Sequence, residues 1–225
     1  LYSKVLFLCV LKIKRMDLSK IFLNEDPTLP LVHLNDLAEA VIRVSEYYCN
    51  WPARHVTLQK VERVFAYELY YQFKLLTASK AVYQGIRFDG EIGKQIHQIP
   101  NDCGTNISIK QIDYSPDLVL HKSQLDKSSE NQKLIIEIKT TNVSDADFAL
   151  AIIKLNHFLS SLNFQFAVLI TVNTNKYTII RKLRRIIPQP SDKVLINNFK
   201  KIIVFNYKDR VLNANRLYDI LKGSS

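Results

Sequence analysis

The sequence predicts an α/β fold in which a mixed sheet is flanked by helices. Three observations carry that expectation. Leu134–Ile138 and Phe166–Val172 are apolar apart from Glu137 and Thr171, as strands covered on both faces are. Between them, Ser144 offers a helix cap with Asp147 three residues on, and helical periodicity runs to about Leu162. A strand–helix–strand unit of this kind makes its two strands parallel neighbours. Two further strand-like segments, near 84–92 and 107–121, precede the unit, and a long helix over roughly 54–79 precedes them.

Taken in order, residues 1–15 hold a short apolar run, Val5 to Leu11, followed by Lys12, Lys14 and Arg15. A signal peptide would place small residues there, and the run is too short to span a bilayer. Met16 opens a more conventional stretch, so 1–15 is either an upstream segment or an ordinary first strand or helix. Residues 16–51 form an extra N-terminal helical segment, with 31–49 reading as one helix ended by Asn50-Trp51-Pro52. The main domain is expected over 52–225. After Val172 come a basic stretch (176–187), an apolar strand (202–207) and a last helix from about Asn213.

Composition bounds the function classes. At 225 residues with 47% hydrophobic and 23% charged side chains, the chain can bury one sizeable core. Its 31 Lys+Arg against 21 Asp+Glu give +10, a field suited to a polyanion partner. Cys9, Cys49 and Cys103 are dispersed and odd in number, which argues against a disulfide framework or a zinc site. A reducing cytoplasm is the expected setting, with no membrane partner.

The chemistry is carried by charges in apolar surroundings. In LIIEIKT (134–140) Ile135, Glu137 and Lys139 alternate to one face of the strand. Two charges on a central strand are costly unless they are paired or hold a metal. In YSPDLVLH, Pro116 enters a strand and Asp117 stands at its start. The polar stretch 121–133 reads as a hairpin loop, which brings Asp117 beside Glu137 and Lys139. On the 54–79 helix, Val61, Val64, Phe65, Leu69 and Leu76 make an apolar stripe in which Glu68 is embedded, with Gln72 one turn on. Glu62 and Arg63 are expected off the stripe and solvated. Glu91 is a further acidic candidate, and Lys154 could reach the site from the following helix. The five histidines show no ligand spacing, and His121 and His157 are expected to be structural. Taken singly, Asp117 would be a turn residue, Glu68 a buried ion pair and Lys139 a solvated strand position.

Pro116-Asp117, Glu137-Ile138-Lys139 and Glu68 together resemble the PD-(D/E)XK nuclease superfamily. ERVFAYELYYQF (62–73), PDLVLH and IIEIKT are also similar to an uncharacterised bacterial family within it. The resemblance covers roughly 54–172 and implies a restriction-endonuclease-like αβββαβ core. It implies that Asp117, Glu137, the Ile138 backbone carbonyl and Glu68 hold Mg²⁺ or Mn²⁺, with Lys139 positioning or helping to deprotonate the attacking water. The implied activity is phosphodiester hydrolysis of nucleic acid, with DNA the first expectation. Lys176 and, above all, Arg181, Lys182, Arg184 and Arg185 on the basic stretch are expected to contact phosphates. A homodimer is expected if both strands of a duplex are cut. Two alternatives stay open: a catalytically silent module of the same fold that binds nucleic acid or a protein, and an unrelated α/β protein whose Glu-x-Lys is a buried ion pair.

Overall fold

A computed structural model describes residue 18 and residues 31–49, 58–90, 115–123, 128–140 and 143–223. The expectations for residues 1–15, for Asn50-Trp51-Pro52, for Glu91 and for strand 107–114 lie outside the described residues. The element order is α1 (Val32–Arg43), α2 (Glu46–Cys49), α3 (Leu58–Thr77), β1 (Arg87–Gly90), β2 (Leu118–His121) and β3 (Gln132–Lys139). It continues with α4 (Asp145–Leu162), β4 (Phe166–Val172), α5 (Lys176–Ile186), α6 (Lys193–Lys201), β5 (Ile202–Lys208), β6 (Val211–Arg216) and α7 (Leu217–Lys222). The described strands form a six-stranded mixed sheet in the order β1-β2-β3-β4-β5-β6.

The strand periodicity divides the core between two faces. Leu134, Ile136 and Ile138 of β3 pack with Val168 and Ile170 of β4 against Leu37, Val41, Phe65 and Leu69 of α1 and α3. Ile135, Ala167, Leu169 and Val204 point the other way, against Ile152, Leu155 and Phe158 of α4 and Leu183 of α5. Every residue of β4 is buried, which is why that segment lacks alternation. β3 and β4 are parallel neighbours joined by α4, while β1, β2 and β3 make an antiparallel meander. Ser144 caps α4 by accepting the Asp147 N–H at 3.1 Å, and Asn163 ends it in the left-handed conformation at φ 54°. No described helix is long and apolar enough to cross a membrane.

Two local expectations are corrected, and one helix is added. The single helix over 31–49 is two, because Val44 turns extended (ψ 123°) and drops its side chain into the core. The Tyr207 hydroxyl donates to the Ile42 and Val44 carbonyls exposed by the break, at 3.4 and 3.3 Å. The last helix starts at Leu217 and not at Asn213, because 211–216 is strand β6. It is reached from β5 through a two-residue turn, Asp209-Arg210, with φ of 51° and 62°. Two left-handed residues in succession make a type I′ hairpin turn, whose usual sequence signal ends in glycine; arginine hides it. α6, capped by the Asp192 carboxylate accepting the Leu195 N–H at 2.9 Å, has no counterpart in the sequence reading.

Candidate active site

The site is built where β2 runs out. Pairing of β2 with β3 ends at Leu118, opposite Ile136. The next inward-facing N–H on that side of β3 belongs to Ile138, and the Asp117 carboxylate takes it, Oδ2 accepting at 2.6 Å. A backbone donor that the sheet would leave orphaned therefore fixes the rotamer of Asp117. The N–H and C=O of one strand residue point to the same side, so the Ile138 carbonyl also faces Asp117.

Glu137 is 1% exposed and points to the α4 face. Lys154, on α4, reaches its two oxygens at 3.3 and 3.4 Å, and Lys139 Nζ lies 3.8 Å from Oε2. From the opposite face, Glu62 of α3 approaches Lys139 at 3.7 Å and accepts the Thr140 N–H at 3.3 Å. These groups line one cleft of about 720 Å³, whose wall includes Glu62, Asp89, Asp117, Glu137, Lys139 and Lys154.

The electrostatics follow from burial. Desolvation, reinforced by the Asp117 charge, pushes Glu137 up to about 7 against the pull of Lys154 and Lys139. Burial draws Lys139 down, but Glu137, Asp117, Glu62 and Asp147 together outweigh it and hold its ammonium above the ordinary lysine range. Burial also raises Glu62, partly offset by Lys139 and the Thr140 N–H. Lys139 is thus held as a cation among carboxylates.

Asp117, Glu137, the Ile138 backbone and Lys139 are brought together; Glu68 is not. It is half-buried, accepts from Gln72 Nε2 at 2.7 Å along the helix, and does not line the cleft. Glu62, expected to be solvated, lines the cleft instead. The reason is the position of the stripe: the buried side chains of α3, among the described residues, are Phe65, Leu69, Phe73 and Thr77. Glu62 is seven residues before Leu69, within about 20° of its direction at roughly 100° per residue. Glu68 is about 100° off that direction. Counting from the half-buried Val61 and Val64 displaced the stripe.

Asp89 was also missed. It stands opposite Val119 on the α4 face of β1 and is held by His121 Nε2 at 3.0 Å and Arg87 Nε at 3.2 Å. Its signal was the alternation of Arg87 and Asp89 around the buried Phe88. His121 is fully buried and ties β2 to β1.

Three of the four α5 cations expected to contact phosphates have packing duties. Lys182 donates to the Val143 carbonyl, pairs with Asp145 at 3.5 Å and sits 5.1 Å from the Phe148 ring centre. Arg185 pairs with Asp145 at 2.5 Å, and Arg184 Nε donates to the Ile220 carbonyl at 2.6 Å. Arg181 alone of the four makes no such contact among the described residues and is exposed.

Among the described residues, no three His, Cys, Asp or Glu side chains gather closely enough to cage an ion by themselves. Two carboxylates and a strand carbonyl nevertheless fit Mg²⁺ or Mn²⁺ chemically, since Mg²⁺ keeps several waters and takes one or two carboxylates plus substrate phosphate. Set against models of known protein families, curated proteins and solved structures, the chain has no significant match.

Proposed function

We propose that the protein hydrolyses phosphodiester bonds of nucleic acid, with Mg²⁺ or Mn²⁺ as cofactor and DNA as the first substrate to test. The observation that carries the reading is the Asp117–Ile138 hydrogen bond. It holds the Asp117 carboxylate against the Ile138 backbone near the C-terminal end of β3, next to the buried Glu137 and Lys139. The order α3-β1-β2-β3-α4-β4 supports a restriction-endonuclease-like αβββαβ core, and the resemblance of Pro116-Asp117 and Glu137-Ile138-Lys139 supports it independently.

In this reading Asp117, Glu137 and the Ile138 carbonyl would hold the cation, with Glu62 in the place first given to Glu68. When bound, the divalent ion polarises the phosphate and lowers the pKa of an attacking water. The Lys139 ammonium, kept protonated by its carboxylate neighbours, hydrogen-bonds the water or a phosphate oxygen and offsets developing negative charge. Glu62 orients that ammonium from below. Lys154 neutralises Glu137 from the α4 side and supplies a second positive group to the phosphate.

A silent binding module is the second reading. It is favoured by Glu137 having two ammonium groups within 3.8 Å, which compensate its charge from within the protein. Nicking of supercoiled plasmid in Mg²⁺ and in Mn²⁺ separates the two. Wild-type nicking that Lys139→Ala abolishes, with unchanged circular dichroism, supports hydrolysis. No cleavage of DNA or RNA in either ion, with binding retained, overturns it in favour of the silent module.

A further inference from the structure

We infer that the candidate site takes nucleic acid as an unpaired single strand, stacked along one face of α3. The inference rests on the nucleic-acid reading of the cleft and names its substrate class. Three helical faces of α3 have distinct uses. Phe65, Leu69 and Phe73 enter the core. Tyr70 stacks on Phe88 at 5.5 Å with ring planes 5° apart. A third row, Tyr67, Tyr71 and Leu75 at one-turn spacing, is 68%, 55% and 57% exposed. Large apolar side chains lined up in solvent along a helix mark a contact surface, where single ones would be unremarkable.

The row is continuous with the site. Tyr67 and Arg63, one turn before it, both form part of the cleft wall that contains Asp117, Glu137 and Lys139. Arg63 is exposed, and Lys74 lies exposed between Tyr71 and Leu75. Basic groups interleaved with exposed aromatic rings are the composition that tracks a phosphate backbone while stacking bases. The overall charge of +10 favours the same polyanion over an apolar protein partner.

Spacing decides between single strand and duplex. Residues four apart on a helix rise by about 6 Å. Bases within a duplex strand are stacked at about 3.4 Å and have no free face for a tyrosine. Two rings about 6 Å apart therefore suit bases splayed on an extended strand. Tyr67 would stack a base within the cleft, next to the scissile phosphate, and Tyr71 the following base outside it.

The test measures binding without turnover. Fluorescence anisotropy in EDTA compares a labelled mixed-sequence single-stranded oligodeoxynucleotide with the duplex of the same sequence. The proteins are wild type, the double variant Tyr67→Ala/Tyr71→Ala and the double variant Tyr67→Phe/Tyr71→Phe. Both positions are exposed, and near-wild-type thermal midpoints show that the fold is kept. The expected result is single-strand binding at least about tenfold tighter than duplex binding, weakened about a hundredfold by the alanine pair at roughly tenfold per ring. The phenylalanine pair keeps its affinity, and duplex binding is unchanged by either.

Equal affinity for duplex and single strand, or indifference to the alanine pair, overturns the inference. So does a dimer in sedimentation that the alanine pair dissociates, since the row would then be a protein interface. A parallel digestion of the same two substrates in Mn²⁺ keeps the readings apart. Duplex cleavage that ignores both tyrosines leaves hydrolysis standing and overturns the single-strand inference. Tyrosine-dependent single-strand binding with no cleavage does the reverse.

Discussion

Replacing Glu137 by glutamine is expected to stabilise the protein while destroying the proposed activity. Burial and Asp117 raise the Glu137 pKa from 4.5 to about 7, so the folded state holds the proton more tightly than the unfolded one. The favourable contribution of the protonated carboxyl is therefore fully present below 4.5 and is lost as pH rises through about 7. The difference of 2.5 units (7 − 4.5), at about 1.36 kcal/mol each, amounts to about 3 kcal/mol of destabilisation above the upper value. Glutamine imitates the neutral carboxyl in shape and hydrogen bonding, so Glu137→Gln should recover most of that amount at pH 8 and little at pH 4.5. With a urea slope of roughly 3 kcal/mol/M for a chain of this size, the denaturation midpoint should rise by about 1 M at pH 8. Urea unfolding of wild type and variant across pH 4.5–8.5 isolates this one titration from all others. Adding Mn²⁺ at pH 8 should stabilise the wild type and leave the variant nearly unmoved, because the ion favours the ionised carboxylate. A variant that is less stable than wild type at pH 8, or a difference that does not change with pH, would refute the assignment of Glu137 as a strained, ionisable buried acid.

The exchange of Glu62 for Glu68 predicts that Glu62→Gln lowers plasmid nicking at least about tenfold while Glu68→Gln leaves it within about twofold. Equal effects would return Glu68 to the site. Arg181→Ala should weaken nucleic-acid binding and reduce the salt slope by about one, with no shift in thermal midpoint. Arg185→Ala should instead cost under about 1 kcal/mol in urea unfolding, since it breaks a half-exposed pair with Asp145. Phe199→Ala on α6, where the ring is fully buried, should cost about 3–5 kcal/mol in urea unfolding and leave nucleic-acid binding unchanged.

What the sequence determined by itself was whatever local periodicity and local cost encode. Unbroken apolar runs at Phe166–Val172 and around Ile135 marked central strands, and Ser144 with Asp147 marked the start of α4, because caps and burial patterns act over a few residues. Glu137 and Lys139 stood out because charge in an apolar strand is expensive wherever the strand lies. Tertiary structure decided what depends on relative position. Which glutamate of α3 reaches the cleft turns on the helix's rotation about its axis, set by Phe65, Leu69 and Phe73 meeting the sheet. That Lys154 meets Glu137, and that Asp89 shares the cleft, depends on α4 crossing beneath β3 and on the register of β1 against β2. The α5 cations read as a nucleic-acid stripe in sequence, yet three of them also bind α4 or α7 groups that lie far away along the chain. A side chain's type and period are local quantities, whereas its partner is fixed only when the layers pack.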